Sequence, residues 1–122
     1  MTRTCILIGD GSHARFFQSE DPAQPWHLLR KVDREHSREK TDRPESREDG
    51  GEHGFARQLV SQLETARQEG GFARLVLVAP PKFLGQLRAE LTPSLAACVT
   101  KSMDKDYTHM SDGEVQKHVD IS

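Results

Sequence analysis

A three-layer α/β/α fold on a mixed five-stranded sheet is what this sequence predicts, and three observations predict it. Residues 4–9 and 75–79 are short apolar runs of strand length, the second of them continuous, the pattern of a strand buried on both faces. Residues 55–66 and 83–91 carry apolar side chains at helical spacing. The remaining strand-like segments are joined by short turns near the N-terminus, whereas the later ones are separated by helix-length connections. At 122 residues, with 34% hydrophobic and 30% charged residues, the chain is expected to form a single domain with its apolar material concentrated in those segments.

The first strand, Thr4 to Gly9, closes in Asp10-Gly11, a dipeptide suited to a tight hairpin turn. Ala14 to Gln18, with Phe16 and Phe17, continues as a second strand, and Pro22 and Pro25 punctuate the next reversal. Trp26, Leu28 and Val32 fall at even spacing, with Arg30 the polar exception, which predicts a third, partly exposed strand and an antiparallel meander of three. From residue 35 to 54 the chain is almost wholly charged or turn-forming, and a mobile loop is expected there. Its charges alternate in sign, so it presents no sustained basic face.

Phe55, Ala56, Leu59, Val60, Leu63 and Ala66 define the first helix, which Gly70-Gly71 terminates where positive φ is needed. Leu75 to Ala79 is the fully buried strand. Pro80-Pro81 ends it and opens a helix with Phe83, Leu84, Leu87 and Leu91 inward. Thr92-Pro93-Ser94 restarts the chain as one helical turn through Cys98, and Val99 to Met103 forms the last strand. Ser111 and Glu114 make a capping box, and Met110 with Val115 a hydrophobic staple, so a final helix begins at Ser111 and buries Val115 and Val119. Right-handed crossovers set the fourth strand parallel to the first and helices on both faces of the sheet. The order β-β-β-α-β-α-β-α is that of ribonuclease H-like folds.

Several segments carry a family resemblance. They are the opening strand with its turn and Ala14-Arg15-Phe16-Phe17, Thr41-Asp42-Arg43-Pro44, the run from Phe72 to Gly85, and Asp104-Lys105-Asp106-Tyr107-Thr108-His109-Met110-Ser111. With them the chain resembles the bacterial host attachment protein family, described as proteins required for attachment to host cells. The family is related in fold to the middle domain of archaeal and eukaryotic peptide chain release factors, and the resemblance therefore implies ribosome association. Between Glu35 and Gly54 this sequence is shorter and more charged than its relatives tend to be.

Charge and composition narrow the chemistry. Seventeen lysines and arginines against nineteen aspartates and glutamates leave no net positive field for nucleic acid or anionic lipid, and no sequence-specific nucleic-acid signal is present. No stretch reaches the ~20 apolar residues of a membrane span, so no membrane insertion is expected. The run from Cys5 to Ile8 is too short for a signal peptide, which makes the cytoplasm the expected compartment. Cys5 and Cys98 sit in apolar segments far apart in sequence and read as two buried thiols rather than a disulfide framework. The six histidines include no pair at zinc-motif spacing, and no metal or cofactor is expected. Gly9-Asp10-Gly11-Ser12 lacks the lysine and hydroxyl of a phosphate-binding loop and is read as a turn. A two-metal nuclease would need an acid where the fourth strand instead runs into Ala79-Pro80-Pro81.

The topology predicts one place for a ligand, because the ends of strands one, four and five open on the same sheet edge. Asp10, Ser12, Lys82, Lys105, Asp106, Thr108 and His109 would gather there, with the helix start at Pro81 offering N–H groups to an anion. The leading functional expectation is a non-enzymatic interaction domain with no catalytic residue, acting through a protein or ribosomal partner. The rivals are a hydrolase directed at RNA or a phosphate compound, using Asp10, Asp106 and His109 as acid, base or metal ligands, and a surface adhesion factor.

Overall fold

The computed structural model describes residues 3–21, 23–34 and 51–121. Most of the segment expected to be a loop, residues 35–50, lies outside the described residues. Residues 52–54 belong to the first turn of a helix, which therefore starts ahead of the apolar stripe at Phe55. Among the described residues the elements are β1 (Thr4–Gly9), β2 (His13–Ser19), β3 (His27–Asp33), α1 (Glu52–Gln68), β4 (Arg74–Val78), α2 (Pro81–Glu90), α3 (Pro93–Cys98), β5 (Val99–Met103) and α4 (Asp112–His118).

The strands form one sheet in the order β3-β2-β1-β4-β5. β1 pairs antiparallel with β2 and parallel with β4, while β5 adds parallel to β4. The sheet is mixed because hairpin-length turns join the first three strands, whereas helices carry the chain from β3 to β4 and from β4 to β5. Every residue of β1 is buried, and so is every residue of β4 after Arg74. A parallel pair in mid-sheet loses contact with water on both faces, and the uninterrupted apolar runs in the sequence are the consequence.

Alternate residues serve two cores. On one face Cys5, Leu7, Phe16, Leu75 and Leu77 pack under the apolar stripes of α1 and α2 and under Leu95 of α3. On the other, Ile6, Ile8, Phe17, Val76 and Val78 meet Val115 and Val119 of the C-terminal segment, with Trp26, Tyr107 and Met110 at the margin. Burial in the first core pushes the Cys5 thiol up to about 12.

The third strand departs from its expected alternation. Phe16 pairs with Arg30 but Phe17 pairs with Leu28, so Leu29 is an extra residue in the ladder. A bulge of this kind reverses the parity of everything beyond it. Val32 therefore packs on the α1 side while Trp26 packs on the α4 side, where its ring centroid is 5.4 Å from that of Phe17. Arg30, the polar exception in the pattern, donates to Gln62 of α1 at 2.8 Å. Leu28 and Leu29 stay 40% and 55% exposed on this edge strand.

Local chemistry fixes the helix ends. At the end of α1, Gly71 N donates to Ala66 O at 2.9 Å and Gly70 takes φ 79°. Pro81 occupies the first turn of α2, where no intrahelical donor is lost. Thr92 caps α3 by accepting from Leu95 N at 3.1 Å and donates its own hydroxyl to Glu64 of α1 at 2.8 Å, joining those two helices. Ser111 and Glu114 complete the expected capping box on α4. No helix among the described residues is long and apolar enough to cross a membrane.

Two glycines give opposite expectations. Gly70→Ala forces a β-carbon into the left-handed region and should cost about 1–2 kcal/mol. Gly85 lies inside α2 and a β-carbon there meets nothing within 4 Å, so Gly85→Ala should raise stability by about 0.5–1 kcal/mol. Urea denaturation of both variants checks the contrast.

Candidate functional site

The parallel strands β1, β4 and β5 all finish at one edge, and Ala79 N donates to Met103 O at 3.1 Å to hold the last two ends together. The chain leaving β5 then arches back across this edge to reach α4. Its course is set by Arg15, which stands on β2 opposite Ile8, on the face shared with Phe17.

A guanidinium on a sheet face that is otherwise apolar must find acceptors, because an unpaired buried charge is costly. Arg15 finds three. Nη1 donates to Asp112 Oδ1 at 2.6 Å, and Nη2 donates to the carbonyls of Tyr107 at 3.1 Å and Thr108 at 3.4 Å. The guanidinium carbon lies 5.8 Å from the centroid of the Phe17 ring, and the side chain is only 12% exposed. The planar fork thus spans the loop and the first turn of α4, a task that a point-charge ammonium cannot perform.

Asp10 governs the other side of the loop. Its Oδ1 accepts from Ser12 N at 2.8 Å and His13 N at 2.7 Å, which builds the β1–β2 turn, and its Oδ2 accepts from the Thr108 hydroxyl at 3.1 Å. That same hydroxyl lies 2.6 Å from Asp106 Oδ1. One hydroxyl has one proton, so the shorter contact to Asp106 takes the larger share of it. Thr108 N also donates to Asp106 Oδ1, at 3.2 Å. His109 Nε2 sits 3.6 Å from Asp106 Oδ2, with the imidazole 84% exposed.

The expected site residues are thus brought to one edge but play different parts. Asp10, Asp106 and Thr108 form a connected hydrogen-bonded group, to which Ser12 contributes its backbone N–H and against which the His109 ring lies loosely. Lys82, near the start of α2, and Lys105, in the loop, are exposed at this end of the sheet. Among the described residues, no three His, Cys, Asp or Glu side chains come together as a group able to hold a metal ion. The Thr108 hydroxyl holds the Asp106 carboxyl below the usual carboxylate range, the neighbouring histidine adding a smaller pull. Asp106 is therefore ionised near neutrality, unable to serve as a general acid and weak as a base. Arg15 and Asp112 were not among the expected site residues. Their sequence signal is an arginine in a strand beside two phenylalanines, matched by an acid one residue after a helix cap.

Removing the fork should loosen the loop. Arg15→Met is expected to cost about 2 kcal/mol, and Arg15→Lys should recover less than half of that. Asp112→Asn should cost under about 1 kcal/mol, because that side chain is 46% exposed and water screens the pair. Denaturation combined with amide exchange over residues 107–112 would check all three.

The depressed Asp106 value also sets a pH dependence. A carboxyl whose folded pKa lies below its unfolded value contributes stability above pH ~4 and loses it as the pH falls through the folded value. The stability of the wild-type chain should therefore decline more steeply in that acid window than that of Asp106→Asn, as measured by denaturant titrations at successive pH values.

A relative in Rickettsia prowazekii (strain Madrid E), an uncharacterized protein, is 35% identical over 66 residues, which cover 52% of this chain and 44% of the relative. The chain thus spans less than half the length of that curated relative. The model of a family described as "Protein required for attachment to host cells" matches residues 5–119, from the second residue of β1 to the residue that closes α4. With that match running through every described strand and helix, the chain belongs to the host attachment protein family.

Proposed function

We propose that this chain is a non-enzymatic binding domain that presents the C-terminal ends of β1, β4 and β5 to a macromolecular partner, in the first place the translation machinery. One observation carries the reading. The two carboxylates at this edge that could do chemistry are engaged in holding the loop, Asp10 by the turn and by Thr108, and Asp106 by Thr108. A nucleophile or proton-transfer group needs the opposite condition, an acceptor or donor left available and tuned near the working pH. The rim also carries Lys82, Lys105 and His109, all exposed, on a braced scaffold, which suits contact with a polar surface.

The ribosomal partner is supported by the kinship in fold between the family and the release factor middle domain, a fold-level analogy. It implies a cytoplasmic setting. The family description records a requirement for attachment, and a binding domain can meet that requirement without touching a host surface itself.

Co-sedimentation of the full chain with ribosomes in a salt series tests the proposal. The protein is expected in the ribosomal pellet at low salt. If Lys82 and Lys105 each meet a phosphate, binding should fall about tenfold between roughly 50 and 200 mM salt. The double variant Lys82→Glu, Lys105→Glu should be lost from the pellet. Failure of the wild-type chain to pellet would remove the ribosomal partner. Magnesium- or manganese-dependent RNA cleavage that disappears in Asp10→Asn would replace the proposal with a hydrolase.

A further inference from the structure

β5 is an edge strand, and a groove of ≈ 380 Å³ runs beside it. One wall is β5 itself from Val99 to Ser102; the other is formed by Arg88 and Leu91 at the end of α2, with Ala96 of α3 between. Among the described residues no strand lies on the outer side of β5, so its outward backbone groups have no ladder partner there.

The lining has a definite chemistry. It includes two cations, Arg88 and Lys101, and no acid. Arg88 Nη1 donates to Ser102 Oγ at 2.8 Å, which lays the guanidinium across the strand. Lys101 Nζ donates to the backbone oxygen of Asp120 on the other side of the sheet. The nearby Glu90 is committed elsewhere, to His53 at 2.7 Å and Arg57 at 3.6 Å on α1.

Pairing fixes which face each group serves. Lys101 pairs with Val76, whose side chain belongs to the α4-side core, and Ser102 pairs with Leu77, which belongs to the α1-side core. The two cations therefore straddle the edge, Arg88 on one face and Lys101 on the other, while Leu91, Ala96 and Val99 give an apolar stretch on the Arg88 side. Leu75 pairs with Val99 and Val76 with Lys101, so Thr100 is an extra residue in β5, and a strand added alongside would alternate between these faces while passing Val99 and Lys101 with consecutive residues. It would meet the apolar stretch with one residue, then Lys101 and Arg88 with two consecutive residues.

A second copy of this chain is a poor occupant. Two β5 edges brought together would set Lys101 and Arg88 of each copy near their like, and a lysine on an edge strand is a known guard against self-pairing. The same charges favour an acidic segment.

We propose that the β5 edge is a docking site for an extended peptide of a partner protein, added as a sixth strand, with an apolar residue next to two consecutive acidic residues. Main-chain hydrogen bonds would supply the pairing, and the two cations would select the sequence. This surface is separate from the loop held by Arg15, so it stands or falls independently of ribosome binding.

The test uses the full chain and a blocked, fluorophore-labelled peptide, Thr-Val-Glu-Glu-Val-Thr, whose palindromic order suits either strand direction. Anisotropy should show saturable binding, and amide exchange should slow at Thr100 to Ser102 when the peptide is present. Arg88→Glu and Lys101→Glu should each weaken binding about fivefold. If either reversal perturbs the circular dichroism spectrum, Arg88→Gln and Lys101→Gln replace it, with about twofold weakening expected. The peptides Thr-Val-Lys-Lys-Val-Thr and Gly-Pro-Glu-Glu-Pro-Gly should not bind, the first for charge and the second because proline cannot extend a ladder. No binding up to ~1 mM, binding indifferent to the variants, equal binding of either control, or binding without protection of the β5 amides would each overturn the proposal.

Discussion

The parallel pairing of β1 with β4 commits the molecule to covering both faces of its sheet, since neither strand offers a polar side to water. The two covers are very unequal. One face has α1 and α2 with α3 beside them, and the other has the seven-residue α4 with the chain that leads into it. A helix of two turns has almost no stability of its own, so its position must come from tertiary contact. Val115 and Val119 provide the apolar part of that contact, the capping box satisfies the first free N–H groups, and Arg15 binds the approach to the sheet. Loss of that arginine acts on the lid of a core as well as on a surface loop.

This explains why the candidate site is so heavily hydrogen-bonded. The segment between β5 and α4 passes over the strand ends where a ligand pocket would lie in many open sheets. Here it is drawn down onto β2 through the carbonyls of Tyr107 and Thr108 and onto the β1–β2 turn through Asp10. Polar side chains at this edge therefore act first on their own chain. A partner would meet a preformed surface, with little ordering entropy to lose on contact.

Much of this was legible in the residues. Continuous burial of β1 and β4, the α1 stripe from Phe55 to Leu63, the glycine stop at Gly70 and the Ser111–Glu114 box each rest on local patterns of one or two turns, and local patterns are what a sequence displays. The edge strand is less legible. An extra residue at Leu29 leaves the composition of β3 unchanged while reversing its parity, and only the ladder with β2 reveals it. Arg15 was hidden for a related reason: its three acceptors lie more than ninety positions away, two of them backbone carbonyls that no side-chain pattern can announce. The seven expected site residues followed from topology, which brought them to one edge but could not say which would be consumed in structure.

Cys5 and Cys98 differ in a way that makes the molecule self-reporting. The Cys5 sulfur is buried in the central strand with its thiol pushed up to about 12, whereas Cys98 is partly accessible at the end of α3. Nucleophilic attack requires a thiolate with a path to the reagent, and Cys5 has neither while β1 keeps its neighbours. Slow modification of Cys5 by an alkylating reagent thus counts the moments when the middle of the sheet comes apart, while Cys98 keeps time with local motion at the periphery.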